Sequence, residues 1–174
     1  MRKTTIVIIC VFGAIVAGIV AFWLAGFRIN ITPSFPEGIW KLEPGPVKKG
    51  ALVMFCPPDN SIIRIGKRRG YIPSGMCRPG WYAPLIKRIV AVSGDRVTVT
   101  ETGVFVNGLK LKNSGLLKTD SAGRPLPCSV GSSIVPTGYA WLMSDYNPES
   151  FDSRYFGQVS VKQIEGRAKL ELPW

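Results

Sequence analysis

The sequence of 174 residues contains no histidine. Without an imidazole, the chain cannot build a Ser-His-Asp triad, a Cys-His pair or an HExxH zinc site, and it has no histidine switch near neutral pH. Any general base must therefore be a lysine, an aspartate, a glutamate or a tyrosine.

Charge is missing near the beginning of the chain, where no charged residue lies between Lys3 and Arg28. As a helix, the apolar run over residues 4–27 would measure roughly 36 Å, which is enough to cross a hydrocarbon core of about 30 Å. We predict an uncleaved transmembrane anchor over residues 4–27. A cleaved signal peptide is the alternative, but its apolar core would span only about 7–15 residues.

The distribution of basic residues indicates how the chain is oriented in the membrane and what it contacts. Arg2 and Lys3 stand at the short end of the anchor, which predicts a cytoplasmic N-terminus over residues 1–3 and an exported domain over residues 28–174. The net charge is +11, but the basic residues are scattered along the exported part. We therefore expect contact with anionic lipid headgroups beside the anchor and no nucleic-acid partner.

Beyond the anchor, the chain lacks a long amphipathic helical pattern, and only the stretch near residues 160–166 could hold one or two helical turns. Short runs typical of strands alternate with turn residues instead, and Asn107-Gly108 is a type I′ hairpin signal. The runs cover residues 51–55, 85–92, 96–100, 104–106, 139–143 and 168–172. They predict a mainly β, antiparallel domain with loops or insertions at 57–84 and 113–137.

Cysteine usage agrees with export. Cys10 lies in the anchor, whereas Cys56, Cys77 and Cys128 lie in the exported part, where disulfides can form. Cys56 and Cys77 flank a segment rich in glycine and proline, and a disulfide closing it would contribute about 3 kcal/mol to stability. Two alternatives remain open: a metal site, which three thiols without histidine would form poorly, and a bridge in which Cys128 replaces one of the two.

Two candidate catalytic side chains follow the anchor. Ser34 lies between Pro33 and Pro36 in what is predicted to be a stiff, extended loop near the membrane, although most such serines are turn residues. Lys87 lies in the predicted strand 85–92, where alternation would place it on one face with residues 85, 89 and 91. If Lys87 faces inward instead of Arg88, lost hydration lowers its pKa and makes it a general base. The alternative is a lysine that extends to solvent.

A third cluster combines Ser150, Asp152 and Arg154 at alternate positions. In an extended chain these side chains would share one side, where Asp152 and Arg154 could pair and Ser150 could hydrogen-bond to a neighbour. The simpler interpretation is a loop held by an ion pair.

These three segments, in this order, resemble the type I signal peptidases of the Ser/Lys class. The family motifs are Ser-x-x-Pro after an N-terminal anchor, Lys-Arg-Val-x-Gly-x-x-Gly-Asp, and Gly-Asp-Asn through Ser-x-Asp-Ser-Arg-x-x-Gly. They match residues 34–36, 87–95 and 144–157 of this chain. The sequence departs from the pattern at the first motif, where the proline comes one residue early, and at Tyr146, where the general family has asparagine.

The departures are similar to the TraF-type branch of the family, which serves conjugative plasmid transfer. That branch is matched by residues 34–40, by Phe-Cys-Pro-Pro at 55–58, by residues 69–72 and by Ala-Gly-Arg-Pro-Leu-Pro at 122–127. The resemblance implies a signal-peptidase-like β domain in a bacterial inner membrane, with the catalytic domain on the extracytoplasmic side. It also implies that the protein acts with the conjugative transfer machinery and cleaves an exported precursor, in the first place a pilin. In some systems the cleaved pilin is then cyclised.

The resemblance assigns a role to each candidate residue. Ser34 would be the nucleophile and Lys87 its base, with Ser150 orienting the lysine. The backbone N–H of Ser34 and the hydroxyl of Thr32 would stabilise the oxyanion. Asp152 and Arg154 would shape the site, and neither a metal nor a cofactor is expected.

Three other interpretations are compatible with the sequence. The protein could be a general type I signal peptidase, a catalytically inactive membrane-anchored adaptor of a secretion complex, or a cysteine-dependent thiol protein. The combination of Ser34, Lys87, Ser150 and Asp152 argues against an inactive adaptor, and a Cys56–Cys77 bridge would leave no reactive thiol pair.

Overall fold

The computed structural model describes residues 2–174 as one long helix followed by a domain of short antiparallel strands. The predicted mainly β fold is confirmed. The strands are β1 (Phe27–Asn30), β2 (Gly38–Glu43), β3 (Leu52–Phe55), β4 (Ser74–Cys77), β5 (Leu85–Val92), β6 (Arg96–Thr100), β7 (Gly103–Val106), β8 (Leu109–Lys110), β9 (Gly131–Ile134), β10 (Tyr139–Met143), β11 (Val159–Ser160) and β12 (Ile164–Pro173). The helices are α1 (Arg2–Leu24), α2 (Ser61–Arg68) and α3 (Ser153–Phe156), with a 3-10 turn at Val161–Gln163.

Helix α1 fits the expected membrane anchor. It has 23 residues with a mean hydropathy of 2.8 in its most apolar window, and none of its residues is buried by the rest of the chain. By length and composition, it can cross a membrane. The helix ends at Leu24 rather than at residue 27, because Gly26 adopts a positive φ of 86° and turns the chain into β1.

All strands except β4 form two sheets, in which every pairing is antiparallel. The larger sheet has the order β1-β2-β12-β3-β5-β10-β11, and the smaller has the order β8-β7-β6-β9. The predicted strands at 85–92, 96–100 and 139–143 have the observed bounds. Asn107 and Gly108 both have positive φ, at 51° and 83°, as the predicted type I′ hairpin requires.

A β-bulge changes the facing of residues along β5. Trp141 of β10 pairs with Ala91 and Leu142 pairs with Ile89, so Val90 is an extra residue in the ladder. An extra residue reverses the alternation beyond it. Ala91 therefore packs with the smaller sheet's core, and the expectation that it shares a face with Lys87 is wrong.

The two segments that were expected to be loops or insertions contain regular structure. Segment 57–84 holds α2 and β4, and segment 113–137 holds β9. Helix α2 begins at the cap residue Asn60, whose side chain accepts a hydrogen bond from the Ile63 N–H. With eight residues, it is too short to show clear helical periodicity in the sequence. Strands β1 and β2 were not expected either, and β12 begins four residues before the predicted run 168–172.

The predicted disulfide is present. Cys56 and Cys77 are bridged with their Cα atoms 5.4 Å apart, which joins the end of β3 to β4. Cys128 is free and exposed. Both alternatives for these cysteines, a metal site and a bridge through Cys128, are therefore wrong.

Candidate active site

The buried amide of Asn30 shapes the loop that carries Ser34. Its oxygen accepts hydrogen bonds from the Thr32 N–H and hydroxyl at 3.2 and 2.8 Å, and its nitrogen donates to the carbonyls of Thr32, Phe35 and Pro36 at 2.9, 3.2 and 3.1 Å. Sequence reasoning attributed the stiffness of this loop to prolines alone and missed Asn30. The available signal was the Asn-x-Thr spacing, which is typical of a side chain that caps a turn.

A second set of side chains fixes the loop from the segment after β10. The Ser144 hydroxyl donates to the backbone carbonyl of Ser34 at 2.5 Å, and the Asn147 amide donates to the carbonyl of Pro33 at 3.1 Å. The hydroxyls of Ser150 and Ser34 lie 3.3 Å apart in hydrogen-bonding geometry. The structure therefore brings Ser34 and Ser150 together, with the Ser34 hydroxyl presented from a well-supported backbone.

Lys87 is buried in β5, with only 1% of its surface exposed. Burial lowers the pKa of its ammonium from 10.5 to about 8. The carboxylate of Asp152 opposes this shift, and the guanidinium of Arg154 adds to it. Strand β10 runs beside β5, and Ser144, which follows β10, holds the Ser34 carbonyl. The lysine and the serine are thus on adjoining elements, and the lysine can be neutral near pH 8.

Asp152 and Arg154 form a fully buried ion pair, but not in the extended conformation that was expected. Residues 153–156 form the short helix α3, and Asp152 is its N-cap. The Arg154 guanidinium donates to both carboxylate oxygens at 2.9 Å, and the N–H groups of Ser144 and Arg154 donate to the same carboxylate at 3.1 Å. Asp152 therefore accepts four hydrogen bonds. Two come from the Arg154 guanidinium and one from the Arg154 N–H, which Asp152 accepts as the N-cap of α3. The fourth comes from the N–H of Ser144, the residue whose hydroxyl holds the Ser34 carbonyl.

The remaining donors of Arg154 join several loops. They reach the backbone carbonyls of Asn113 and Gly115, and those of Pro148 and Ser150, at 2.8–3.1 Å. The five N–H groups of the planar guanidinium meet six acceptors in all, because the two protons of Nη1 are shared among three carbonyls. Arg154 thereby fixes the Ser150 segment relative to the chain at 113–115.

Two roles that the resemblance implies stay predictions: donation to the oxyanion by Thr32 and orientation of Lys87 by Ser150. The Thr32 hydroxyl gives its single proton to Asn30, so donation to an oxyanion requires that hydroxyl to rotate. The Ser150 hydroxyl donates to Ser34 and keeps lone pairs that could accept an N–H of Lys87, but no hydrogen bond between Ser150 and Lys87 is found within residues 2–174.

Two cavities meet at the Ser34 loop. The anchor-side cavity, of about 510 Å³, lies between β1 and β4 and is lined by Trp23, Arg28, Met76, Ile86 and Glu165, among others. The insertion-side cavity, also of about 510 Å³, contains Ser34 and Ser150 and is lined across from them by Tyr71, Leu117 and Asp120, among others. Ile31, Thr32 and Pro73 line both cavities, so the two lie side by side at the Ser34 loop, and together they are termed the groove.

A half-exposed serine beside a groove, with a buried lysine of lowered pKa on an adjoining strand, has the parts of a serine peptidase that works without histidine. The chain belongs to the signal peptidase family, peptidase S26, whose sequence model matches residues 2–174.

The chain is similar to TraF proteins of that family over most of its length. It is 45% identical over 155 residues to the plasmid transfer protein TraF of Escherichia coli, covering 88% of this chain and 87% of that protein. It is 45% identical over 166 residues to the probable conjugal transfer protein TraF of Sinorhizobium fredii, covering 92% and 85%. A solved signal peptidase I from Enterococcus faecalis is a distant match, 20% identical with a TM-score of 0.42, covering 72% of this chain and 98% of that one.

Replacing Asp152 by Asn tests what the buried carboxylate does. We expect a loss of about 3–5 kcal/mol in the free energy of unfolding, because Arg154 would keep a buried charge without its counter-ion. Because Asp152 raises the pKa of Lys87, its removal should also shift the pH profile of the remaining activity to lower pH. Denaturant unfolding and a pH–rate profile measure the two effects. A variant that keeps its stability and its pH profile but loses activity would instead make Asp152 a direct participant in the chemistry.

Proposed function

We propose that the protein is a membrane-anchored serine endopeptidase that uses Ser34 as nucleophile and Lys87 as general base. The observation that carries the proposal is the burial of Lys87, which lowers its pKa to about 8 on a strand adjoining the segment that holds Ser34. A lysine with an ordinary pKa would be protonated and could not accept a proton at neutral pH.

The reaction divides into two transfers. Ser34 Oγ attacks the scissile carbonyl carbon while its proton moves to Lys87 Nζ, and the C–N bond then breaks as Lys87 returns the proton to the leaving amine. The resulting ester on Ser34 is opened by water or by another amine, with Lys87 again taking and returning the proton. In this scheme the backbone N–H of Ser34 donates to the oxyanion, and the Thr32 hydroxyl becomes a second donor when it rotates away from Asn30.

The groove suits an extended chain. Strand β1 is at an edge of the larger sheet, and β4 belongs to neither sheet, so the anchor-side cavity lies between two strand segments with free edges. A substrate strand can hydrogen-bond to such edges while alternate side chains enter the cavity. The cavity opens beside Trp23 of α1, which is where a precursor held in the membrane would arrive.

The anchor-side cavity should determine which residues the enzyme accepts before the cut. If the chain selects substrates as signal peptidases do, precursors with Ala or a similarly small residue at the first and third positions before the cut should be processed, and large residues there should block cleavage. Product masses from a peptide series would measure this preference. Efficient cutting after Lys or Arg would point to another class of protease.

We further propose that the substrate is an exported precursor of a conjugative transfer system, most of all a pilin, processed at the outer face of the inner membrane. The support is the similarity to plasmid and conjugal transfer proteins over about nine-tenths of the chain. Incubation of the detergent-solubilised full chain with pilin precursors and, separately, with general secretory precursors separates this role from that of a housekeeping signal peptidase. Product masses also distinguish linear from circular products, and an inactive adaptor would cleave neither set.

A further inference from the structure

We propose that the insertion-side cavity binds the residues that follow the scissile bond, as well as the amine that opens the acyl-enzyme, and that it favours a cationic or neutral partner over an acidic one. This inference rests on the proposed function, because it takes Ser34 as the nucleophile. It assigns a specificity role to Glu149 and to the wall formed by residues 113–128.

The direction of the substrate chain follows from the position of the anchor. A precursor's apolar leader lies in the membrane, and the anchor-side cavity is lined by Trp23 and Arg28 at the end of α1. The part of the chain before the cut therefore reaches the groove from that cavity. Because Ser34 lines the insertion-side cavity, and Ile31 and Thr32 line both cavities, the part after the cut continues into the insertion-side cavity.

The far wall of this cavity is held in place by contacts between distant parts of the chain. The Arg69 guanidinium donates to the carbonyl of Pro125 at 2.7 Å, and the Tyr71 hydroxyl donates to Asp120. Near the base of the wall, the Leu117 N–H donates to the hydroxyl of Tyr155 at 3.3 Å. These bonds make the cavity preformed, so that a leaving peptide or an incoming amine meets fixed groups.

The charge of the lining is opposite to that of the protein. The net charge is +11, yet Asp120 and Glu149 are the charged residues that line this cavity. Asp120 is paired with Arg124 at 2.6 Å, which offsets its charge. Glu149 is exposed and takes part in none of the ion pairs found within residues 2–174. Its carboxylate can therefore attract a cationic group, or repel an anionic one, that enters the cavity.

The test uses peptides that are identical up to the cut and carry Lys, Gln or Glu at the second position after it. The full-length protein in detergent should cleave the Lys peptide with a kcat/KM about three to ten times that for the Glu peptide, the range expected for one partly screened charge pair. In Glu149→Lys this ratio should fall to one or invert. Raising the salt concentration should reduce the preference in the wild type.

Glu165→Lys is the matched control. Glu165 is also exposed, and its replacement by Lys changes the net charge by the same amount as Glu149→Lys. Glu165, however, lines the anchor-side cavity. Whatever this variant does to the absolute rate, the ratio between the Lys and Glu peptides should stay at the wild-type value.

The acyl-enzyme offers a second readout that is independent of the leaving peptide. With one fixed substrate, added Gly-Lys-amide and Gly-Glu-amide compete with water, and product masses give the ratio of aminolysis to hydrolysis. The wild type should transfer more to Gly-Lys-amide, and Glu149→Lys should remove that preference. The inference is overturned if peptides are cut but their charge preference is the same in the wild type and in Glu149→Lys, or changes equally in Glu165→Lys. Failure of the wild type to cut any peptide would instead contradict the proposed function.

Discussion

Ser34→Ala should abolish precursor cleavage, with a loss of at least about 10³-fold in kcat, while the fold stays intact. Cleavage should be lost because this hydroxyl is the proposed nucleophile. The fold should stay intact because the hydroxyl is half-exposed and its neighbour is the Ser150 hydroxyl at 3.3 Å. The backbone contact that positions the loop, from the Ser144 hydroxyl to the Ser34 carbonyl, does not depend on the side chain at residue 34. Product masses measure the activity, and a thermal unfolding curve checks the fold.

Ser34→Cys is the companion variant. A thiol ionises more readily than a hydroxyl and needs less help from a base, so this variant should keep some activity where alanine keeps none. Cleavage by Ser34→Ala at the wild-type rate would remove Ser34 from the reaction and leave the proposed mechanism without a nucleophile.

Local periodicity predicted the strand that carries Lys87, whereas the roles of Ser34, Lys87 and Ser150 were implied by the family resemblance. Strand 85–92 is apolar enough to be recognised as buried, and Lys87 stands out within it because a lysine there must either extend to solvent or lose hydration. Periodicity alone did not decide between Lys87 and Arg88. The structure resolves this point, because Lys87 is buried while Arg88 is partly exposed and reaches Asp145 at 2.8 Å.

Other parts depend on contacts that a linear pattern does not carry. The bulge at Val90 requires the register against β10, and the wall of the insertion-side cavity requires Tyr71 to meet Asp120 across 49 residues of chain. The conformation of 150–154 depended on capping, because Asp152 ends the extended segment by accepting the N–H of Arg154. The Asn-x-Thr spacing indicated a capped turn at Asn30, but it did not show that this side chain makes five hydrogen bonds to neighbouring residues.

The buried lysine should also lower the stability of the fold. Its pKa is about 8 in the folded protein against 10.5 for an ordinary lysine, so the unfolded chain binds more protons between these values and stability should rise as the pH rises through that window. Lys87→Met, which has similar length and no charge, should therefore unfold at a higher denaturant concentration than the wild type at pH 7. The gain should be on the order of 3 kcal/mol. Equal stability of the two proteins would mean that Lys87 is not destabilised by burial.

The pH dependence of the rate identifies the base itself. If neutral Lys87 accepts the Ser34 proton, kcat/KM should rise tenfold per pH unit below an apparent pKa of about 8 and level off above it. Lys87→Arg keeps the charge but cannot yield a base, so it should be as inactive as Lys87→Met across the whole range.

Arg88→Ala is the control for that profile. Its guanidinium donates to Asp145 and to the carbonyl of Gly50, both at 2.8 Å and partly exposed, so its loss should cost about 1 kcal/mol or less and leave the apparent pKa unchanged. Because Lys87→Met is expected to be folded and more stable, its inactivity cannot be attributed to unfolding, and the comparison isolates the chemistry of the amine. A Lys87→Arg protein that processes precursor at the normal rate, or a wild-type rate that is flat between pH 6 and 9, would show that some other group takes the proton from Ser34.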